Sequence, residues 1–285
     1  MLLVKTTCAL LLVGLALAPS GAAVLGAQGT PVTADASAPR GLDQTLDLYV
    51  RDGLVYYRAL ESDRARLDAY VRGLASVSIE KEPRAAQLAF WLNAYNALVL
   101  QTVVDHYPIA QRSKDYPPGS IRQIPGAFER VPHRVGGRTL TLDQIEQTVL
   151  PEFQDPRVYL ALGRGAVGSG RLRSEAFGPD SLDRQLNDVA RECVNRSQCA
   201  EVDRGQDVVR ISSIFSWREA AFSSAYAEKA APVLAGRSPI ERAAIAFIAP
   251  YLVAAEREFL EKNAFKVEYS RFDWSLNDLT GRGGR

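Results

Sequence analysis

The chain has 285 residues, and its 34 basic residues nearly balance its 33 acidic ones, for a formal net charge of +1. This composition contains no basic stripe, so we expect no nucleic-acid partner. Three cysteines and two histidines leave few candidate ligands for a metal, and we expect neither a metal nor a cofactor.

The first 27 residues have the pattern of an export signal. Lys5 supplies a positive charge, residues 8–18 form a short apolar core, and small residues follow. We therefore expect a cleaved signal peptide over residues 1–27 and an exported protein, periplasmic or extracellular. The alternative is an uncleaved membrane anchor, since residues 8–27 are long enough to span a bilayer, although Pro19 weakens it.

The rest of the chain predicts a flexible linker at residues 28–40, one domain at 41–279 and a disordered tail at 280–285. Apolar periodicity and turn residues define its elements. The predicted helices are 42–50, 64–74, 84–106, 141–150, 181–193, 213–226 and 239–262, the last bent or divided at Pro250. The predicted strands are a hairpin at 131–140, a buried strand at 158–162, and strands at 208–211 and 265–269. Because strands are few, we expect an α+β fold: a helix-rich single domain with a small, mainly antiparallel sheet.

The helix at 84–106 carries Asn93, Tyr95 and Asn96 on a segment that is apolar almost all round. Such a helix should be buried. The two asparagines share one face, and buried amides need hydrogen-bond partners. Two interpretations stay open: the asparagines hold a neighbouring loop by its backbone, or this segment presents donors to a ligand.

Residues 163–173 form a loop rich in glycine and arginine. Gly163, Gly165 and Gly168 permit close approach of the backbone to another group. They also fit the dinucleotide fingerprint, but no helix is predicted to begin at the third glycine, so we expect no dinucleotide site. The loop therefore either binds a ligand or packs against another backbone.

Three arginines lie on this loop: Arg164, Arg171 and Arg173. Guanidinium groups on a glycine-rich loop predict a pocket for a carboxylate or phosphate. The alternative is that Arg173 pairs with Glu175 or Asp180 and that the other two are solvated.

Five motifs resemble, in order, the family known as domain of unknown function 547. They are WLNAYN at 91–96, DPRV at 155–158, LRSEAF at 172–177, ISSIFSW at 211–217 and DWSLN at 273–277. The resemblance covers roughly residues 84–277. It implies membership without implying an activity, because the family is named for lacking an established one.

The resemblance also exposes a difference in the glycine loop. Many members of the family carry a histidine at the position of Tyr159 and cysteines near Arg164 and Ser169. A cysteine beside a histidine would suggest a thiol nucleophile with its base. This chain has Ser169 at the corresponding position, which implies either a serine variant or a copy without that chemistry.

A serine nucleophile needs a base, and the candidates are His106 and His133. Glu175 is a further candidate acid or base, with Asp273 as a distant second carboxylate. Three functions follow: a binding protein for a small anionic or peptide-like ligand, a hydrolase or transferase on peptide or glycan amides with Ser169 as nucleophile, and a structural scaffold. We favour binding, because no base is recognisable. A membrane partner is expected only if the N-terminal segment stays uncleaved.

Cys193 and Cys199 are predicted to form a disulfide, as the two cysteines that follow the signal in an oxidising compartment. The alternative is two free thiols near a helix end. Trp91, Trp217 and Trp274 are predicted to lie in the core, with a place in the pocket as the alternative for Trp274.

Overall fold

A long buried helix, α4 (Arg84–Val104), organises residues 40–282, which are the part of the chain that the computed structural model describes. Every residue from Leu88 to Leu100 on this helix is buried. The predicted burial is confirmed, and its cause is the near absence of charged residues from any face of the helix.

Helices dominate the described residues, which are 52% helix and 11% strand. The α-helices besides α4 are α1 (Arg40–Tyr49), α2 (Tyr57–Ser62), α3 (Ala65–Leu74), α5 (Leu142–Gln144), α6 (Leu182–Val194), α7 (Ser213–Trp217), α8 (Glu219–Tyr226), α9 (Pro239–Ile248) and α10 (Ala254–Glu261). The predicted helix-rich α+β class is therefore confirmed. No helix within residues 40–282 combines the length and apolarity needed to cross a bilayer.

The strands form three small sheets. They are β1 (Val50–Arg51), β2 (Leu54–Val55), β3 (His133–Val135), β4 (Arg138–Leu140), β5 (Ala200–Asp203), β6 (Val208–Ser212) and β7 (Lys266–Ser270). Three of the pairings, β1–β2, β3–β4 and β5–β6, are antiparallel, whereas β6 and β7 are parallel. The predicted hairpin is confirmed, with Gly136 and Gly137 both at positive φ in its turn.

Two predicted helices are interrupted: the one at 141–150 changes its form, and the one at 239–262 divides at Pro250 as predicted. The segment predicted as a helix at 141–150 begins with the expected capping box of Thr141 and Gln144, then continues as a π-helix at Ile145–Val149. The segment at 239–262 is divided at Pro250, where a 3₁₀ turn separates α9 from α10. The proline explains the division, because it cannot donate the hydrogen bond that would continue the helix.

The prediction of a strand at 158–162 is wrong. Residues Pro156–Leu160 form a 3₁₀-helix, whose first turn is capped by the Asp155 carboxylate accepting from the backbone N–H of Arg157 at 3.0 Å. A short buried apolar run fits a strand or a helical turn equally well, and here the Asp-Pro pair favours the turn.

Three predictions concern residues outside or at the edge of the described part. The predicted signal peptide at 1–27 and all but the last residue of the linker lie outside the described residues. In the predicted tail, Thr280–Arg282 form a 3₁₀ turn and residues 283–285 lie outside.

Candidate functional site

The glycine loop packs along a C-terminal segment of the chain. The backbone N–H of Val167 donates to the carbonyl of Ser275 at 2.9 Å, and that of Gly168 donates to the carbonyl of Asp273 at 2.8 Å. The N–H of Asn277 donates in return to the carbonyl of Gly165 at 3.3 Å. Packing against another backbone was one of the two interpretations of this loop, and it is confirmed.

Two glycines of the loop are required by close approach of another chain segment. A Cβ at Gly168 would lie 2.6 Å from the backbone nitrogen of Asp273. At Gly170 it would lie 1.6 Å from the carbonyl oxygen of Leu160. These distances leave no room for a side chain, so the glycines set the shape of the loop through packing.

Asn93 and Asn96 hold the two segments that flank the glycine loop by their backbone groups. Asn93 donates to the carbonyl of Phe177 and accepts from its N–H, both at 2.8 Å. Asn96 donates to the carbonyl of Ala161 at 3.2 Å and accepts from the N–H of Gly163 at 2.8 Å. The structural interpretation of the two asparagines is confirmed. Their bonds satisfy buried backbone groups of Ala161, Gly163 and Phe177.

Arg164 belongs to a buried ion cluster beneath the loop. Its guanidinium bonds both carboxylate oxygens of Glu146 and the carbonyl of Tyr159, and only 2% of the residue is exposed. Arg218 reaches the same carboxylate at 2.7 Å, and the Tyr95 hydroxyl donates to it at 3.0 Å. Arg164, predicted as a ligand-binding cation, is thus paired within the protein.

The charge of Glu146 is held by its two arginines. Burial alone would raise the pKa of the carboxyl, but the charges and hydrogen bonds of Arg164 and Arg218 outweigh it and lower the pKa to about 2. Burial, with Glu146 adding to it, raises the pKa of the Tyr95 hydroxyl well above its usual value. At neutral pH the cluster therefore holds one carboxylate between two guanidinium groups.

The outer part of the loop lines a polar cavity of about 400 Å³. Ser169, Gly170 and Arg171 form one wall, and the turn after α6, with Arg196, forms another. Both arginines pair with the carboxylate of Asp52, which is exposed, at 3.2 and 2.6 Å. Arg171 also lies 3.6 Å from Glu192. The cavity is lined mainly by polar side chains, among them Asn195, Gln198 and Asn277.

Arg173 pairs with Glu175, as the alternative interpretation of the loop arginines predicted. Gln185 also donates to Glu175, at 3.2 Å. The pKa of the Glu175 carboxyl is lowered, mainly by its hydrogen bond with Arg173. The second predicted carboxylate, Asp273, accepts from the N–H of Ser275 at 2.9 Å and so caps its own segment.

The structure gives Ser169 a hydrogen-bond donor and, within residues 40–282, places no histidine in its cavity. Its hydroxyl oxygen accepts from the backbone N–H of Arg164 at 3.0 Å. Among residues 40–282, neither His106 nor His133 lines the cavity at Ser169. His106 follows the end of α4, and its Nδ1 is 2.8 Å from the carbonyl of Thr102 in the last turn of that helix. Burial lowers the pKa of His133, and the nearby charge of Asp105 raises it by a smaller amount. The Nε2 atom of His133 is buried without a hydrogen-bond partner.

The sulfur atoms of Cys193 and Cys199 lie within bonding distance, and their Cα atoms are 5.2 Å apart. The predicted disulfide thus closes the turn that carries Arg196. In the described part of the chain, no group of three or more histidine, cysteine or acidic residues is placed to hold a metal ion.

One tryptophan prediction is wrong. Trp91 is buried, but Trp217 is 44% exposed. Since α7 ends at Trp217 and α8 begins at Glu219, the indole lies at a bend of the chain with one part in solvent. Trp274 is half-buried against the core and lines a second cavity together with Trp217, whereas the cavity at Ser169 does not include it.

The sequence interpretation missed Glu146, Arg218, Asp52 and Arg196. One signal for Glu146 was available: it lies between Ile145 and Val149 on the buried face of its segment, where an acidic residue demands a partner. Asp52 and Arg196 are 144 positions apart, and no local pattern joins them.

Comparison with known proteins identifies a family and no individual relative. No curated protein and no solved structure matches the chain. Residues 79–194, which include α4, the ion cluster's Glu146 and Arg164, the glycine loop and α6, match the family described as "Protein of unknown function, DUF547". The chain carries a DUF547 domain at residues 79–194.

Proposed function

We propose that this protein is an exported binding protein whose loop at residues 163–173 holds a small anionic ligand. The main support is that Arg171 and Arg196 both pair with Asp52, the one carboxylate among the described residues that line their cavity. The two guanidinium groups carry more N–H donors than the carboxylates of Asp52 and of Glu192, 3.6 Å from Arg171, can accept, so donors remain for a ligand anion.

The pairing with Asp52 leaves this site open to exchange. Asp52 has a side chain that is 73% exposed, and those of Arg171 and Arg196 are 36% and 34% exposed. An ion pair in such contact with water contributes about 0–1 kcal/mol, so a bidentate ligand anion can replace it at little cost. Ser169, Asn195 and the other polar groups of the cavity supply further hydrogen bonds for a carboxylate, a phosphate or the end of a peptide.

Two features support export and binding over catalysis. The Cys193–Cys199 pair suits an oxidising compartment, in agreement with the signal peptide that the sequence predicts. Ser169 accepts a backbone hydrogen bond, and the described residues that line its cavity include no histidine. A nucleophilic serine requires such a base within hydrogen-bond reach.

The test is thermal unfolding with three probes: inorganic phosphate, succinate and the dipeptide Ala-Ala. We expect at least one probe to raise the melting temperature of the wild-type protein, and the rise to shrink with added salt. Arg171→Ala and Arg196→Ala should abolish it. The matched control is Arg184→Ala, because Arg184 is exposed and pairs at 3.5 Å with Asp188 on its own helix.

Either of two outcomes would contradict the proposal. One is a flat response of the wild-type protein to all three probes; the other is a shift that persists in the Arg171→Ala, Arg196→Ala double variant. A fluorophosphonate probe tests the hydrolase alternative separately. Covalent labelling that disappears in Ser169→Ala would replace the binding function by a serine-dependent one.

A further inference from the structure

An exposed aromatic side chain, that of Trp217, lines a second cavity together with the ion cluster of Glu146, Arg164 and Arg218. Trp217 rests on Phe272, with ring centroids 4.8 Å apart, and lies 6.2 Å from Trp274 at an interplanar angle of 20°. Phe272 in turn contacts Trp274 at 4.5 Å. The two neighbouring rings hold the indole of Trp217 in place while 44% of the residue stays in contact with water.

Two cavities meet at this tryptophan. One of about 250 Å³ lies toward Trp274 and Phe128, and one of about 570 Å³ lies toward Tyr159 and α8. Trp217 and Arg218 line both. Because these two residues line both cavities, we treat the two cavities together and call them the tryptophan cleft.

The tryptophan cleft also has unused hydrogen-bond donors. Arg122 lies between the rings of Phe128 and Trp274, at 4.5 and 4.6 Å, and its Nε is buried without a partner. Arg218 lies over the ring of Tyr159, with its guanidinium carbon 4.8 Å from the ring centre. Its Nε is also buried without a partner. Buried donors in native proteins are nearly always satisfied, so these two arginines retain hydrogen-bonding capacity, as Arg173 and Arg242 do outside the cleft.

The charges of the cleft are balanced internally. Glu146 faces both Arg164 and Arg218, and Arg122 pairs with Glu129. Asp143 adds a half-buried carboxyl whose pKa is raised, first by burial and then by Glu129 and Glu146. A strongly charged ligand finds no uncompensated partner here, whereas a neutral ligand rich in hydroxyl groups finds donors and acceptors on both sides.

We propose that the tryptophan cleft binds a neutral glycan, with one sugar ring stacked on Trp217. A pyranose ring presents C–H groups on its face and hydroxyl groups on its edge. The indole face buries the former, and Arg122, Arg218 and Asp143 meet the latter with hydrogen bonds. No described residue lines both this cleft and the cavity at Ser169, so this site and the proposed anion site can succeed or fail separately.

The test is a titration of the full chain with three hexasaccharides, in which binding is measured by tryptophan fluorescence and by calorimetry. The probes are cellohexaose, maltohexaose and the β-1,4-linked hexamer of N-acetylglucosamine. We expect at least one to bind and to change the fluorescence. Trp217→Ala should weaken that binding about tenfold or more, and Trp217→Phe should restore most of it.

Two matched controls separate the cleft from general effects. Tyr56→Ala removes another exposed aromatic ring outside the cleft, and Arg171→Ala disables the proposed anion site. Both variants should bind the hexasaccharide as the wild-type protein does. Failure of all three hexasaccharides to bind the wild-type protein would overturn the proposal. So would equal binding by Trp217→Ala, given an unchanged melting temperature of that variant.

Discussion

The two ends of the glycine loop use arginine in opposite ways. At the inner end, Arg164 is 2% exposed and shares the carboxylate of Glu146 with Arg218. At the outer end, 36% of the Arg171 side chain is exposed, beside the exposed carboxylate of Asp52. A buried charge cannot lose its partner without a large desolvation cost, whereas an exposed one can exchange its partner for water or a ligand. Burial, more than residue type, therefore decides which arginine is available for binding.

The largest effect should follow from removing the inner arginine. Arg164→Met leaves Glu146 buried with one of its two cations missing, and breaking a buried pair in this way costs about 3–5 kcal/mol of unfolding free energy. The outer counterpart, Arg171→Met, should cost less than about 1 kcal/mol. Urea unfolding measures both. Equal losses in the two variants would remove the distinction between the two ends of the loop.

Acid should weaken the inner cluster in a defined pH window. The pKa of Glu146 is lowered from 4.5 to about 2 in the folded protein. Its ionised form therefore stabilises the fold above about pH 4.5, and that contribution is lost as the pH falls through about 2. The loss is about 3 kcal/mol. The unfolding free energies of wild type and Glu146→Gln should converge across this window. Parallel curves would show that Glu146 does not carry the effect.

The bend between the two ends should tolerate no side chain. Gly170→Ala places a Cβ against the carbonyl oxygen of Leu160, and the forced shift should cost about 1–3 kcal/mol. Gly73→Ala is the matched control: nothing lies within 4 Å of its Cβ position in α3, and helix propensity predicts a gain of about 0.5 kcal/mol. Thermal unfolding of the two variants separates a packing requirement from a general cost of replacing glycine. A silent Gly170→Ala would contradict the close approach.

The sequence predicts the helices and the glycine loop better than it predicts what the loop contacts. The apolar surface of α4 implies its burial, and the need of buried amides for partners implies that Asn93 and Asn96 hold a loop. The 3₁₀ turn at Pro156–Leu160 was missed because a short apolar run has no decisive period. The pairing of Asp52 with Arg171 and Arg196 depends on three segments meeting in space, which local periodicity does not encode.

The smallest stability effect belongs to the outer end, and its small size is informative. Arg171→Ala and Arg196→Ala each remove an exposed pair with Asp52, so each should change the unfolding free energy by less than about 1 kcal/mol. The same variants should lose the response to an anionic probe. Residues that matter for folding and residues that matter for binding would then lie on one loop. A large loss of stability in either variant would instead make the outer arginines structural, like Arg164.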